Sequence, residues 1–349
     1  MQPADRLAIA VPPGGPAVAP GTLAVLGAMT RLGNRTQHYA TRACLDDNEQ
    51  VIRATGLPGR HLDAWLMPPD LLRRVFMRSS RGCNLAVVEG TWDPDPAGLV
   101  LFDRPGCLEP ASRILNLARV ALIPCRDLPV GHWPRFPSGV DAVILDGLDR
   151  PEDFPAWRDA IETLARKPVL GAIDSLPEAR MALDRPEESA DAMAALARSF
   201  LAYANLALLR ELTRRGPLPE LAEPAVDIQV PRRFRVAYAQ DEAFTRYFPD
   251  TLETLEALGA ELVDFSPLRD ERIPDLCDLV ILGCGYTERH AEALGANHSL
   301  IGALRAFACR GRRIYAEGGG MAYLGQGNRG GWGVPSHRRA LAIPIGGAA

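Results

Sequence analysis

Short apolar runs closed by a polar residue or a glycine recur along the chain and alternate with amphipathic segments. In the first part, five such runs predict buried parallel strands: RLAIAV, NLAVVEG, RVALIPC, VDAVILDG and PVLGAI. Apolar residues then recur every three or four positions from Glu187 to about Arg215, which predicts one long helix ended by Gly216. Strands that alternate with helices predict an α/β fold with a doubly wound sheet.

A second set of alternating elements follows a proline-rich stretch. FRVAYA, AELVDFSP, LVILGCG and RIYAEG predict strands, while FPDTLETLEALG and NHSLIGALRAFACRG predict helices. The proline-rich stretch, residues 216–233, predicts a linker. The sequence therefore predicts two α/β domains, at residues 1–215 and 234–349, and a chain of 349 residues suits two domains of ordinary size.

Composition narrows the classes of function. The formal charge of -4 and the absence of a clustered Lys/Arg block predict no nucleic-acid partner. The seven cysteines are scattered without CxxC spacing, so we expect neither a disulfide framework nor a zinc site, which suits the reducing cytoplasm. No apolar run approaches the roughly 18 residues of a membrane span, and we expect neither export nor membrane anchoring.

The stretch RRIYAEGGGMAYLGQ, Arg312 to Gln326, predicts a buried strand, a tight glycine turn and the start of a helix. Such a strand-to-helix elbow holds the nucleophile in several enzyme families, because the sharp turn exposes one side chain beside helix N-terminal N–H groups. Here the exposed position is Gly318, which has no side chain to react.

The second half of the chain resembles the glutamine amidotransferase domain of cobyrinic acid a,c-diamide synthases. The resemblance is carried by GAELVDFSPL, LVILGCGYTE and IYAEGGGMAYLG, and in the first half by RATGLPGRHLDAWLM, NLAVVEG and PVLGAI. It implies an N-terminal P-loop-NTPase-like domain, similar to dethiobiotin synthetase, and a C-terminal flavodoxin-like class I amidotransferase domain, here truncated. The implied reaction delivers ammonia from glutamine to a corrin-ring carboxylate that ATP has activated.

The amidotransferase half departs from that family at its catalytic positions. The elbow of the family is A-E-C-G-G, so Gly318 stands in place of the cysteine nucleophile. The general base of the family lies in a later G-H-E-type stretch, and the later His337 in VPSHRR does not match it. We therefore predict that glutaminase activity is absent.

Cys284 lies in the strand-end loop that the resemblance assigns to the oxyanion hole, where the family has L-G-G-G-Y-P-E. It is either a substitute nucleophile or, as is usual for a cysteine at a strand end, a small buried apolar side chain. His290, six residues on, is the nearest histidine in sequence. Other candidates for a ligand-binding cleft in this half are Gly283, Gly285, Tyr286, Glu288 and Glu317.

The first loop of the synthetase half departs in the same way. The family has a glycine-rich loop ending in G-K-T or G-K-S, which binds phosphate and Mg²⁺. Gly14 and Gly15 remain, but Val18 and Ala19 fall about where the lysine and hydroxyl residues belong, and four prolines remove N–H donors. No cofactor is assigned, and Mg-ATP is expected only if this degenerate loop still binds it.

Three acidic residues persist as candidate ligands at predicted strand ends. Asp47 lies in ATRACLDDNEQV, which corresponds to K-x-G-P-D-Y-I-D-P-x-x-H of the family. Asp63 is either a residual ligand or the cap of a following helix, and Glu89 is either a residual ligand or the partner of a nearby arginine. The aspartate that ends the V-V-D strand of the family is Cys125 here.

Several motifs for different catalytic steps are thus altered while the scaffold patterns remain. The sequence favours a pseudoenzyme of this family, kept for binding a tetrapyrrole or corrinoid, for homo-oligomer formation or for pairing with an intact synthetase. Two alternatives stay open: a decayed, non-functional copy, and an amidoligase that uses ATP with ammonia or glutamine.

Overall fold

The structure is a computed structural model that describes residues 4–45, 49–92, 106–133, 139–185, 187–216, 218 and 233–325. The chain divides into two compact units, Met1–Glu223 and Pro224–Ala349. The division falls inside the segment predicted as a linker, and the predicted domain limits at residues 215 and 234 stay a prediction.

A seven-stranded parallel sheet forms the centre of the first unit, in the order β3-β2-β4-β1-β5-β6-β7. Its strands are β1 (Asp5–Val11), β2 (Thr36–Ala40), β3 (Arg60–His61), β4 (Leu85–Thr91), β5 (Ala118–Pro124), β6 (Ala142–Leu148) and β7 (Val169–Asp174). From β1 the chain passes to β2 and β3 on one side, returns to β4 beside β1, and then continues through β5, β6 and β7 on the other side, so the strand order reverses at β1. In sheets of this kind ligands bind outside the carboxyl ends of the strands near that reversal.

Helices cover both faces of this sheet. They are α1 (Pro20–Arg31), α2 (Glu49–Thr55), α3 (Pro69–Ser79), α4 (Leu108–Ile114), α5 (Phe154–Ala160), α6 (Pro177–Ala182), α7 (Ser189–Tyr203) and α8 (Leu206–Thr213). On one face, α1 is buried from Gly21 to Met29 and packs with α7 in one apolar cluster. On the other face, Phe76 of α3 and Ala111 of α4 join a second cluster. The doubly wound α/β class predicted from the sequence is confirmed.

The single helix predicted from Glu187 to Arg215 is wrong, because α7 and α8 are separate helices bent by 97°. Ala204 is extended, and the Asn205 side chain accepts a hydrogen bond from the Leu208 N–H, which starts a new helix. The Asn205 N–H donates to the Leu170 carbonyl of β7, which holds the break against the sheet. Within the described residues no single helix could cross a membrane; only this bent pair has the length and composition for it.

A four-stranded parallel sheet, in the order β11-β10-β8-β9, forms the second unit. The strands are β8 (Phe234–Ala239), β9 (Ala260–Phe265), β10 (Leu279–Leu282) and β11 (Arg313–Ala316), and the helices are α9 (Pro249–Ala257), α10 (Ala291–Ala296), α11 (His298–Cys309) and α12 (Gly319–Leu324). The apolar core lies on the α11 face, where Leu300, Leu304 and Phe307 are buried. None of the residues of α9 is buried.

Candidate functional site

The elbow between β11 and α12 has the backbone geometry that holds a nucleophile in other enzymes. Gly318 has φ 49° and ψ -116°, a region that side-chain-bearing residues rarely adopt. The Glu317 N–H donates to the Leu282 carbonyl at 3.1 Å, and the Gly320 N–H donates to the Gly283 carbonyl at 2.9 Å. These two bonds hold the elbow against the loop that follows β10.

Close packing against that loop explains the glycines that follow the elbow position. A Cβ on Gly319 would lie 2.6 Å from the Thr287 hydroxyl oxygen, and one on Gly320 would lie 2.1 Å from the Leu282 carbonyl oxygen. No side chain fits at either position without moving the neighbouring strand end. The scaffold of the elbow is therefore retained in full.

The thiol of Cys284 fills the space that a side chain at position 318 would occupy. A Cβ built on Gly318 would lie 2.1 Å from the Cys284 Sγ and 3.4 Å from the Cys284 Cβ. The parallel register pairs Leu282 with Ala316, so residues 284 and 318 both lie two positions beyond a pair of facing residues. The Cys284 sulfur therefore lies where a side chain at position 318 would begin.

The surroundings of this thiol keep it protonated at neutral pH. Burial raises the pKa of Cys284, a hydrogen bond from the Gly319 N–H offsets part of that rise, and the Glu317 carboxylate raises it further. Arg246 acts in the opposite direction. Among the described residues, the groups that shift this pKa are the Gly319 N–H, Glu317 and Arg246, and none of them is an imidazole.

The loop assigned to the oxyanion hole already uses its N–H groups inside the protein. The Gly283 N–H donates to the Tyr247 hydroxyl at 3.1 Å, and that hydroxyl donates to the Ala239 carbonyl. The Cys284 N–H donates to the Arg246 carbonyl at 3.2 Å. Burial raises the pKa of Tyr247 strongly, so its hydroxyl stays neutral. An oxyanion would have to displace these partners before it could bind.

The other candidates in this unit lie around the same loop. The Tyr286 ring lies between two guanidinium groups, with its centroid 4.5 Å from Arg246 and 4.2 Å from Arg289. Glu288 is exposed. Glu317 is half-buried and accepts a hydrogen bond from the Tyr315 hydroxyl at 3.0 Å.

In the first unit, the carboxylate of Glu89 on β4 lies at the start of α1. Its Oε1 accepts the Ala19 N–H at 2.8 Å, and its Oε2 lies 3.2 Å from the Nε2 of buried His38. The expected arginine partner of Glu89 is therefore wrong, because β2 places His38 beside it. Val18 is buried in the core, and Cβ atoms on Gly14 and Gly15 would meet nothing within 4 Å.

Asp63 is not the cap of the following helix. Its carboxylate accepts N–H groups from Ala43 and Trp65, each at 3.0 Å, whereas α3 begins only at Pro69. The Asp63 carboxylate therefore links the segment at Ala43 to the turn at Trp65, and the predicted role as a helix cap is wrong. Asp47 lies outside the described residues. Burial raises the pKa of Cys125 to about 12, which makes that thiol unreactive.

Sequence reasoning missed two residues beside the start of α1. His38 lies in the polar strand TQHYA, which has no apolar run, and its pairing across the sheet with Glu89 follows only from the strand order. Asp146 at the end of β6 lies 3.1 Å from the position of a Cβ on Gly21 and pairs with Arg180 at 2.5 Å. Among the described residues no group of three or more His, Cys, Asp or Glu side chains could hold a metal ion.

These features define a two-unit α/β protein whose second unit has an amidotransferase-type elbow. Residues 235–335 match the CobB/CobQ-like glutamine amidotransferase domain. The chain is 30% identical to hydrogenobyrinate a,c-diamide synthase of Mesorhizobium japonicum over 93% of this chain and 76% of that protein. It is 30% identical to cobyrinate a,c-diamide synthase of Synechocystis over 87% of this chain and 67% of that protein. The corresponding protein of Salmonella typhimurium is 29% identical, over 87% and 70%.

The chain therefore belongs to the cobyrinate a,c-diamide synthase family, as the sequence motifs indicated. Solved structures are more distant. The MinC:MinD cell division protein complex of Aquifex aeolicus matches with a TM-score of 0.34 and 12% identity, over 63% of this chain and 100% of that chain. A likeness at that level carries no argument about function.

Proposed function

We propose that this chain is a catalytically inactive member of the cobyrinate a,c-diamide synthase family that acts by binding a corrinoid or by assembly with an intact synthetase. The observation that carries the proposal is the Cys284 thiol in the space of a side chain at Gly318. Gly318 has no side chain that could attack glutamine. The Cys284 sulfur lies where that side chain would begin, and burial raises the pKa of the Cys284 thiol, which keeps it protonated. Glutamine hydrolysis has no activated nucleophile in this arrangement.

The start of α1 supports the same proposal for nucleotide. The Ala19 N–H, a donor that a phosphate would use, is bound by Glu89, and the next residue is a proline without an N–H. A second carboxylate, Asp146, lies beside the first turn of the helix. These residues do not suit a triphosphate, since the Glu89 carboxylate already holds the Ala19 N–H, Arg180 is already paired with Asp146, and no lysine of the described residues lies at the start of α1.

Binding of a corrinoid is proposed from the relatives, whose names state cobyrinate or hydrogenobyrinate as the compound acted on. Absorbance titration of the purified protein with cobyrinate tests it directly. A saturable spectral change supports binding, and no change at high micromolar cobyrinate removes it and leaves assembly. Pull-down with an intact synthetase tests assembly, where capture in stoichiometric amount is the supporting result and no capture contradicts it.

A second candidate function is the amidoligase that uses glutamine, for which the Cys284 thiol beside Gly318 would have to serve as the nucleophile. If Cys284 attacks the glutamine amide, the protein releases glutamate and ammonia from glutamine and water, and Cys284→Ala abolishes that release. If the proposed inactive state is correct, both proteins release glutamate only at the rate of a blank. Cys309→Ala is the matched control, because Cys309 is exposed on the far end of α11.

A further inference from the structure

β11 is an outer strand of the sheet in the second unit. Among the described strands it pairs only with β10, so its other edge presents backbone N–H and C=O groups that no described strand binds. The Glu317 N–H, directly after β11, donates to the Leu282 carbonyl of β10. Because these groups alternate in direction along a strand, the N–H and C=O groups of Ile314 and Ala316 point to the outer edge. A further strand must therefore bind through those two residues.

One face of β11 carries two opposite charges on either side of an aromatic ring. Arg313, Tyr315 and Glu317 occupy alternate positions, and all three line a groove of about 760 Å³ on the α9 face of the sheet. Ile314 and Ala316 pack against the apolar core on the α11 face. Tyr315 is 53% exposed, and its hydroxyl donates to the Glu317 carboxylate at 3.0 Å. The α9 face of β11 thus presents a cation, a ring and an anion in that order.

The Arg313 guanidinium is the unpaired charge of this face. Arg313 is exposed, and no carboxylate among the described residues forms an ion pair with it. The neighbouring Arg312 instead pairs with Asp278 at 2.8 Å. Within one chain, about 13 Å of extended backbone separates Arg313 from Glu317, with Tyr315 between them. The Arg313 charge is therefore available to a carboxylate that a further strand brings to this edge.

Antiparallel pairing of two copies of β11 supplies both the backbone partners and the carboxylate. With a two-fold axis at Tyr315, Ile314 of each copy faces Ala316 of the other, and these outward-directed residues exchange backbone hydrogen bonds. The same register places Arg313 of each copy opposite Glu317 of the other in a non-hydrogen-bonded pair, where side chains lie closest. Opposite charges in such pairs stabilise a sheet. A register shifted by two residues places Tyr315 opposite Arg313 or Glu317 and forms no such pair.

We propose that two copies of this chain associate through the outer edges of β11 and join their four-stranded sheets into one. The occupant of the edge is a second copy because the order of charges on β11 is complementary to itself under a two-fold rotation. The proposal concerns assembly of the second unit and does not depend on the function proposed above.

Charge reversal tests the pairing. In sedimentation analysis of the full-length chain, the parent should form a dimer at micromolar concentration. Arg313→Glu and Glu317→Arg should each raise the dimer dissociation constant at least about tenfold, because each brings like charges together at both pairs. The matched control is Arg305→Glu, the same charge change at an exposed residue of α11, which should leave the constant unchanged. A parent that stays monomeric at high micromolar concentration, or a dimer that Arg313→Glu does not weaken, would overturn the proposal.

Mixing the two single variants tests the register. Each variant repels a second copy of itself, but carboxylates of the Arg313→Glu chain face guanidinium groups of the Glu317→Arg chain at both pairs. An equimolar mixture should therefore form heterodimers, which native mass spectrometry counts when one variant is isotopically labelled. If the parent dimerises and the mixture gives no heterodimer, the two copies meet at another surface and the proposed interface is wrong.

Oxidation of Tyr315→Cys tests the position of the two-fold axis without changing either charge. In the proposed register the two copies of position 315 face each other with Cα atoms about 4.5 Å apart, within the range that a disulfide spans. Mild oxidation should yield a covalent dimer in which both linked peptides contain position 315. Arg313→Cys is the matched control, because the two copies of position 313 lie about 14 Å apart across the axis and should give no such link. Equal linkage in both variants, or none at position 315, contradicts the proposal.

Discussion

Restoring a cysteine at the elbow tests whether the Cys284 thiol really fills the space of the position-318 side chain. In Gly318→Cys, the new side chain takes a backbone conformation at φ 49° that costs about 1–3 kcal/mol for a residue other than glycine. It also meets the Cys284 sulfur 2.1 Å from its Cβ, and overpacking of this kind costs about 1–3 kcal/mol. We therefore expect the substitution to destabilise the second unit by about 2–6 kcal/mol.

The overpacking cost, which comes from contact with the Cys284 sulfur, should disappear when Cys284 is removed, whereas the cost of the backbone conformation should remain. In a Cys284→Gly background, Gly318→Cys should cost about 1–3 kcal/mol, which leaves a coupling energy of about 1–3 kcal/mol between the two positions. Chemical denaturation of the four proteins under reducing conditions measures it. Ala316→Cys is a control, because position 316 precedes the elbow and should show no coupling to Cys284.

The same geometry predicts a disulfide in the single variant. The Cβ of position 318 and that of Cys284 are 3.4 Å apart, close to the roughly 3.5–4.5 Å found in disulfides, so rotation of the thiols brings the sulfurs together. After mild oxidation, unfolded Gly318→Cys should show two fewer free thiols than the reduced protein. If Gly318→Cys costs the same in both backgrounds and forms no disulfide, the sulfur does not lie at the elbow and the argument fails.

Further predictions concern three single residues. Cys284 should react with iodoacetamide more slowly than exposed Cys309 at pH 8, and peptide mass spectrometry at rising pH should show it gaining rate. Because its pKa is raised by burial, it stabilises the fold at neutral pH, and that contribution should fall as the pH rises above the ordinary thiol value. Glu89→Gln should cost about 1–3 kcal/mol in denaturation, since the Ala19 N–H and His38 lose a charged partner, and no change would contradict the pairing. Asn205→Ala should cost about 0.5–2 kcal/mol in denaturation by removing the cap of α8.

The sequence alone was sufficient to predict the strands whose two faces are both buried. β1, β4, β5, β6 and β7 follow apolar runs, because a parallel strand between two helix layers needs apolar residues at every position. β2 was missed because it is polar. The Gln37 amide donates to the His38 and Pro58 carbonyls, and His38 pairs with Glu89, so these polar groups are satisfied by partners that the local sequence does not reveal.

The sequence predicted the backbone turn of the elbow, but it did not predict which side chain lies against it. Glycines 318 to 320 between a strand and a helix indicated the turn, and the observed backbone has that form. The resemblance placed Cys284 in the oxyanion-hole loop, but its contact with position 318 was not predicted, because residues 284 and 318 are 34 positions apart and meet only if β10 and β11 are neighbours in one register.

The arrangement of Cys284 and Gly318 at the elbow bears on whether this chain is a retained scaffold or a decayed copy. A side chain at position 318 would begin 2.1 Å from the Cys284 sulfur, so in this arrangement the two positions cannot both hold an ordinary side chain. Glycine also adopts the backbone conformation at position 318, φ 49° and ψ -116°, without the strain that another residue would carry. Selection for a packed second unit without glutamine hydrolysis predicts Gly318 and Cys284 together. The coupling energy between positions 284 and 318 measures how far the packing at one position depends on the residue at the other.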